Sequence, residues 1–128
     1  MRAEIKDKWV AALRSGEYVR TRETLRDDYG FCCLGVLCDL YIEQSQNVTE
    51  EQRSYWNNAN AFMVLKDPEQ PGGGYYENAV LPESVKNWAG MKTTDGEINK
   101  DICLSSLNDQ GMEFEQIADV IEKEWEVL

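Results

Sequence analysis

Apolar positions are unevenly distributed along the chain, and their spacing predicts most of its elements. In residues 2–14, Ile5, Trp9, Ala12 and Leu13 fall on one helical stripe with charged residues around the rest. Ser15-Gly16 predicts the stop, with glycine supplying a left-handed C-terminal residue. Residues 18–25 alternate instead. Tyr18, Arg20, Arg22 and Thr24 share one side of an extended segment, with Val19, Thr21, Glu23 and Leu25 on the other, which predicts a short strand or an ordered loop. Asp27–Gly30 reads as a turn. The run Phe31-Cys-Cys-Leu-Gly-Val-Leu-Cys-Asp-Leu-Tyr41 is almost wholly apolar. Such a run suits a buried strand or a buried helix, and its continuation through Ile42 to Gln44 favours a central buried helix. Gly35 inside it costs roughly 1 kcal/mol against Ala, which is tolerable if another element packs closely there.

Downstream the elements are shorter. Thr49-Glu50-Glu51-Gln52 has the form of a capping box and predicts a helix to about Trp56. Ala61–Leu65 reads as a strand, Asp67-Pro68 and Pro71–Gly74 as a surface loop, and Tyr75-Tyr76 with Ala79–Leu81 as the flanks of a hairpin or irregular segment. Pro82 suits the first turn of a helix that buries Val85 and Trp88 and stops at Gly90. Lys92–Glu97 is a polar turn. Residues 102–107, a turn, and Met112 onward read as helix, turn, helix. In the last helix Phe114, Ile117, Ala118, Ile121 and Trp125 form the clearest amphipathic stripe in the chain. The expected fold is α+β: a single, mainly helical domain over residues 1–128, with a central buried helix and a small antiparallel sheet or hairpin.

Composition narrows the chemistry. With 128 residues and 42% hydrophobic positions, the chain can build one core. No apolar run approaches the roughly 20 residues of a membrane helix, and the charged start Met1–Lys8 has no apolar signal region behind it, so a cytoplasmic protein without membrane contact is expected. The four cysteines, at 32, 33, 38 and 103, follow no disulfide framework. On a helix Cys32 and Cys38 stand about 120° apart and Cys33 and Cys38 about 140°, so they cannot converge on zinc, and buried structural roles are expected. There is no histidine, hence neither the usual general base nor the commonest metal ligand. No catalytic set, cofactor or metal is expected.

Net charge is −11 but asymmetric: residues 1–26 hold seven bases against four acids, a net +3, and the remainder six against twenty, a net −14. A recognition helix near the C-terminus would carry Glu113, Glu115, Asp119, Glu122, Glu124 and Glu126 against Lys123 alone, which repels DNA. The basic segment is where an anion is welcome. Trp9, Tyr18, Arg20, Arg22 and Arg26 combine guanidinium forks with aromatic faces, the ingredients of a nucleotide site. Tyr75 and Tyr76, behind three glycines, are candidates for a lid over it. Equally, Trp9 could be core, and the arginines could balance the acidic body through surface pairs.

Lys8–Gly16, Phe31–Tyr41, Leu81-Pro-Glu-Ser-Val and Leu107-Asn-Asp-Gln-Gly resemble, as a set, a family of small proteins encoded by bacteriophages and prophages. That family usually places Thr before Phe-Glu-Glu in the last helix; Glu113 and Gln116 stand in for the cap and one acid here, which weakens the cap. The resemblance implies a non-enzymatic protein of the infected bacterial cytoplasm, of the kind that opposes host defence. Two functions follow as expectations. One is sequestration of a small phosphorylated nucleotide signal, a cyclic nucleotide or ADP-ribose derivative, for which burial between protomers of a homo-oligomer would fit. The other is inhibition of a host nucleic-acid-binding or defence protein by the acidic surface.

Overall fold

A computed structural model describes residues 1–64 and 75–128. The chain runs α1 (Ala3–Arg14), α2 (Cys33–Gln44), α3 (Glu50–Ala59), β1 (Phe62–Val64), β2 (Tyr75–Glu77), α4 (Glu83–Ala89), β3 (Glu97–Asn99), β4 (Ile102–Cys103), α5 (Leu104–Asp109) and α6 (Phe114–Glu124). It is an α+β domain, as the pattern predicts. The strands form two antiparallel pairs, β1 with β2 and β3 with β4. The loop expected at 67–74 lies outside the described residues.

Helix α2 is the centre. Nine of its twelve residues, from Cys33 to Ile42, are buried, and α1, α4 and α5 pack on it. Helix α1 packs chiefly along α6, whose Phe114, Ile117, Ala118 and Ile121 face inward as their spacing demands. Trp125, the last residue of that stripe, is only half-buried and lies under the Lys6 ammonium, 5.3 Å from its ring centre. No helix among the described residues is long and apolar enough to cross a membrane.

Helix ends follow local chemistry. Gly16, at φ +77°, follows the end of α1. Cys32 caps α2, its Sγ accepting from the Gly35 N–H at 3.3 Å. The capping box of α3 closes both ways: Gln52 N–H donates to Thr49 Oγ1 and Thr49 N–H to Gln52 Oε1, each at 3.1 Å. That helix continues past Trp56 to Ala59 and ends on left-handed Asn60. At α6, Gln116 Oε1 accepts from the Glu113 N–H at 3.1 Å, and a capping box forms with Glu113 in place of Thr.

Two expectations need correction. Residues 102–107 are not one helix: Ile102 and Cys103 close a tight hairpin with β3, and the helix starts at Leu104. Residues 18–25 do not alternate. Val19 is 65% exposed while Leu25 is 1% exposed, because the chain reverses at Glu23, which takes φ +66°. Of the short strand and the ordered loop expected, the segment is the ordered loop, wrapped on Phe31, which bridges to Arg20 in parallel and to Arg26 antiparallel. Leu25 sits over Gly35, where a Cβ would lie 1.7 Å from the Leu25 carbonyl oxygen. The glycine inside the core helix is the notch that receives this loop.

Candidate functional site

The loop 18–31 carries most of the predicted site residues, and two polar side chains of α5 pin it. Asn108 is fully buried. Its Oδ1 accepts from the Cys33 N–H at 3.1 Å, satisfying an otherwise orphaned amide in the first turn of α2, and its Nδ2 donates to the Thr21 carbonyl at 2.8 Å. Asp109 Oδ1 accepts from the Glu23 N–H at 2.9 Å, holding the residue with positive φ. The Leu107-Asn-Asp motif is thus a clamp joining α2, α5 and the loop. Asp27 orders the turn: Oδ2 accepts from Thr21 Oγ1 at 2.6 Å, and Oδ1 from the amides of Tyr29 (2.8 Å) and Gly30 (2.9 Å).

Beneath the loop lies a polar centre that the spacing of the sequence does not reveal. Asp39, the one acid in the apolar run of α2, accepts from Tyr18 Oη at 2.7 Å and Trp56 Nε1 at 2.8 Å. Burial, then the bond to Asp39, pushes the Tyr18 hydroxyl well above its ordinary pKa, so it stays a neutral donor. The Tyr18 ring meets Phe31 edge-on at 5.0 Å. Arg26 is held over Phe31 (4.9 Å) and Trp56 (5.5 Å) and donates to the Trp56 carbonyl at 2.8 Å. An acid inside an apolar run demands partners, and that demand was the available signal.

Tyr18 and Arg20 line one cleft of about 310 Å³, together with Leu13, Arg14, Gly16, Glu113, Phe114 and Glu115. Arg20 donates through Nη1 to the Asn108 carbonyl at 2.9 Å, and its buried Nε has no partner among the described residues. Arg14 is neutralised by Asp119 (2.6 Å) and Glu122 (3.1 Å) of α6. Arg20, Arg22 and Arg26 make no ion pair among the described residues, although acids outnumber bases 24 to 13. The surface-pairing role weighed for them has no counterpart among the described residues.

The remaining predicted residues are not at this cleft. Trp9 has 0% exposure and donates through Nε1 to the Cys33 carbonyl at 2.9 Å; it is core, since its position on the stripe of α1 faces α2. Arg26 is turned into the aromatic cluster, and Arg22 is exposed outside the cleft lining. Tyr76 rests on Tyr55 of α3 at 5.2 Å, and Tyr75 pairs with Val64 in the β1–β2 ladder. The glycines expected to hinge them as a lid lie outside the described residues. Arg14, Glu113 and Glu115 were missed, because α1 and α6 meet at the cleft only through the tertiary fold.

The cysteines are thiols. Burial raises Cys33 and Cys38 far above the ordinary thiol range and Cys32 to about 11, which removes their nucleophilic form. Among the described residues no cluster of His, Cys, Asp or Glu could hold a metal ion.

Fold and cleft together define a small α+β domain with an arginine-bearing surface site built on a clamped loop. The chain belongs to the family described as Domain of unknown function (DUF8296), which it matches over residues 1–125. No curated protein and no solved structure matches it.

Proposed function

We propose that this protein is a non-catalytic binder of a small phosphorylated nucleotide, a cyclic nucleotide or ADP-ribose derivative, which it withholds from an effector. The resemblance to phage proteins makes counter-defence in an infected bacterium the setting. The observation that carries the reading is Arg20. Its guanidinium is positioned by a neutral carbonyl rather than a carboxylate, and it makes no ion pair among the described residues at the wall of a cleft. A phosphate supplies both the missing charge and an acceptor, and arginine's fork suits it. The cleft volume stands at the lower end of the roughly 300–1,000 Å³ of small-molecule sites. The Tyr18 ring, fixed by Asp39 and Phe31, offers an ordered aromatic wall.

The test is a thermal-shift screen against cyclic nucleotides and ADP-ribose derivatives, followed by calorimetry on Arg20→Ala. A ligand at about 100 times its dissociation constant adds roughly 2.7 kcal/mol of stability. Arg20→Ala should weaken binding by about 1.5–3 kcal/mol, the scale of a hydrogen bond to a charged group, and Arg20→Lys should restore it only in part. A broad panel without a shift, or full affinity in Arg20→Ala, contradicts the reading.

A further inference from the structure

The cleft has a second, opposite chemistry that a bare phosphate does not explain. Glu113 and Glu115 line it alongside Arg20. Arg14 cannot offset them, because its two terminal nitrogens are held by Asp119 and Glu122. Glu113 is the N-cap of α6, with its backbone amide closed by Gln116. Glu115 is exposed and makes no hydrogen bond or ion pair among the described residues. An ionised carboxylate only accepts hydrogen bonds. Whatever part of the ligand faces Glu115 must therefore present donors, since acceptors there would meet a charge of their own sign.

Resting on the reading of this cleft as a nucleotide site, we propose that its ligand carries guanine and that Glu115 reads the Watson–Crick edge of the base. The reason is the donor pattern of the bases. Guanine places N1–H and the N2 amino group side by side, a donor pair that matches the two oxygens of one carboxylate. Adenine and cytosine set a single amino donor beside a ring-nitrogen acceptor, and uracil sets one N–H between two carbonyl oxygens. Only guanine gives two parallel, charge-assisted N–H···O bonds without an acceptor facing the carboxylate. The phosphate lies toward Arg20 and the base toward Glu115. Among cyclic nucleotides this selects guanine over adenine; an ADP-ribose derivative meets Glu115 with paired donors only through its ribose hydroxyls, and its binding in preference to cyclic GMP overturns the guanine assignment.

The experiment is calorimetric titration of the full chain with 3′,5′-cyclic GMP, cyclic IMP, cyclic AMP and ADP-ribose, repeated on Glu115→Gln, Glu113→Gln and Arg20→Ala. A good bidentate base contact discriminates by roughly tenfold or more. Cyclic GMP should bind at least about tenfold tighter than cyclic AMP, with cyclic IMP, which lacks the N2 amino group, between them. Glu115→Gln should erase the preference while leaving binding that still depends on Arg20. Its position on the surface lets an unchanged melting temperature certify folding. Equal binding of the bases, or a guanine preference that survives Glu115→Gln, overturns the guanine assignment but leaves the nucleotide reading standing. Failure of every phosphorylated probe to bind overturns both.

Discussion

At the residue scale, single small and polar positions seat the loop on α2. Gly35 shows this most clearly: a methyl group there would collide with the Leu25 backbone. Gly35→Ala should cost at least about 3 kcal/mol, the upper end of overpacking penalties, and denaturant unfolding would measure it. A cost below about 1 kcal/mol would mean that the loop does not seat on α2. The sequence announced this site, since glycine in a buried helix calls for a close neighbour, but it could not say which neighbour. Asp27 gives a pH test of the same loop. The bond from Thr21 holds its carboxyl below the usual range; burial opposes it less strongly, and the bonds from the Tyr29 and Gly30 amides add to the lowering. A carboxyl with a depressed folded pKa contributes stability in full above its unfolded value, about 3.9, and loses it as pH falls through the folded pKa. Asp27→Asn should therefore lower the melting temperature at pH 7 and flatten its decline below pH 4. Parallel declines in the two proteins would contradict this role.

At the element scale, legibility followed periodicity. The stripes of α1 and α6 and the capping box of α3 were readable because each is written within one segment. The β3–β4 hairpin was not, because a two-residue strand that runs directly into α5 leaves no alternation to see. The loop 18–31 was not either: its shape is set by contacts with Asn108, Asp109 and Gly35, which are distant in sequence. Hence Arg20 was readable as a candidate by residue type and Trp9 as core by its place on the stripe of α1, while the diversion of Arg26 into the aromatic cluster was not. Asn108 is the joint between these elements. Asn108→Ala leaves the Cys33 amide buried without its acceptor, at a cost of about 1–3 kcal/mol, and frees the Thr21 carbonyl. Hydrogen exchange should then accelerate at Cys33 and through residues 19–25 while α6 keeps its protection. Uniform acceleration across the chain would show that Asn108 supports global stability rather than this joint.

At the scale of the whole molecule, the protein is an acidic body whose clamped loop carries three arginines that make no ion pair among the described residues. The charge asymmetry was visible in the sequence, and its placement beside a cleft required the packing of α1 against α6. The most direct test of the binding claim is backbone amide chemical-shift mapping by NMR, with 3′,5′-cyclic GMP titrated into the ¹⁵N-labelled protein. The expected perturbations cluster at Gly16, Tyr18, Arg20 and Glu113–Glu115, are absent from β1–β2, and disappear in Arg20→Ala. No perturbation at saturating nucleotide, or perturbations centred away from this cleft, would contradict it.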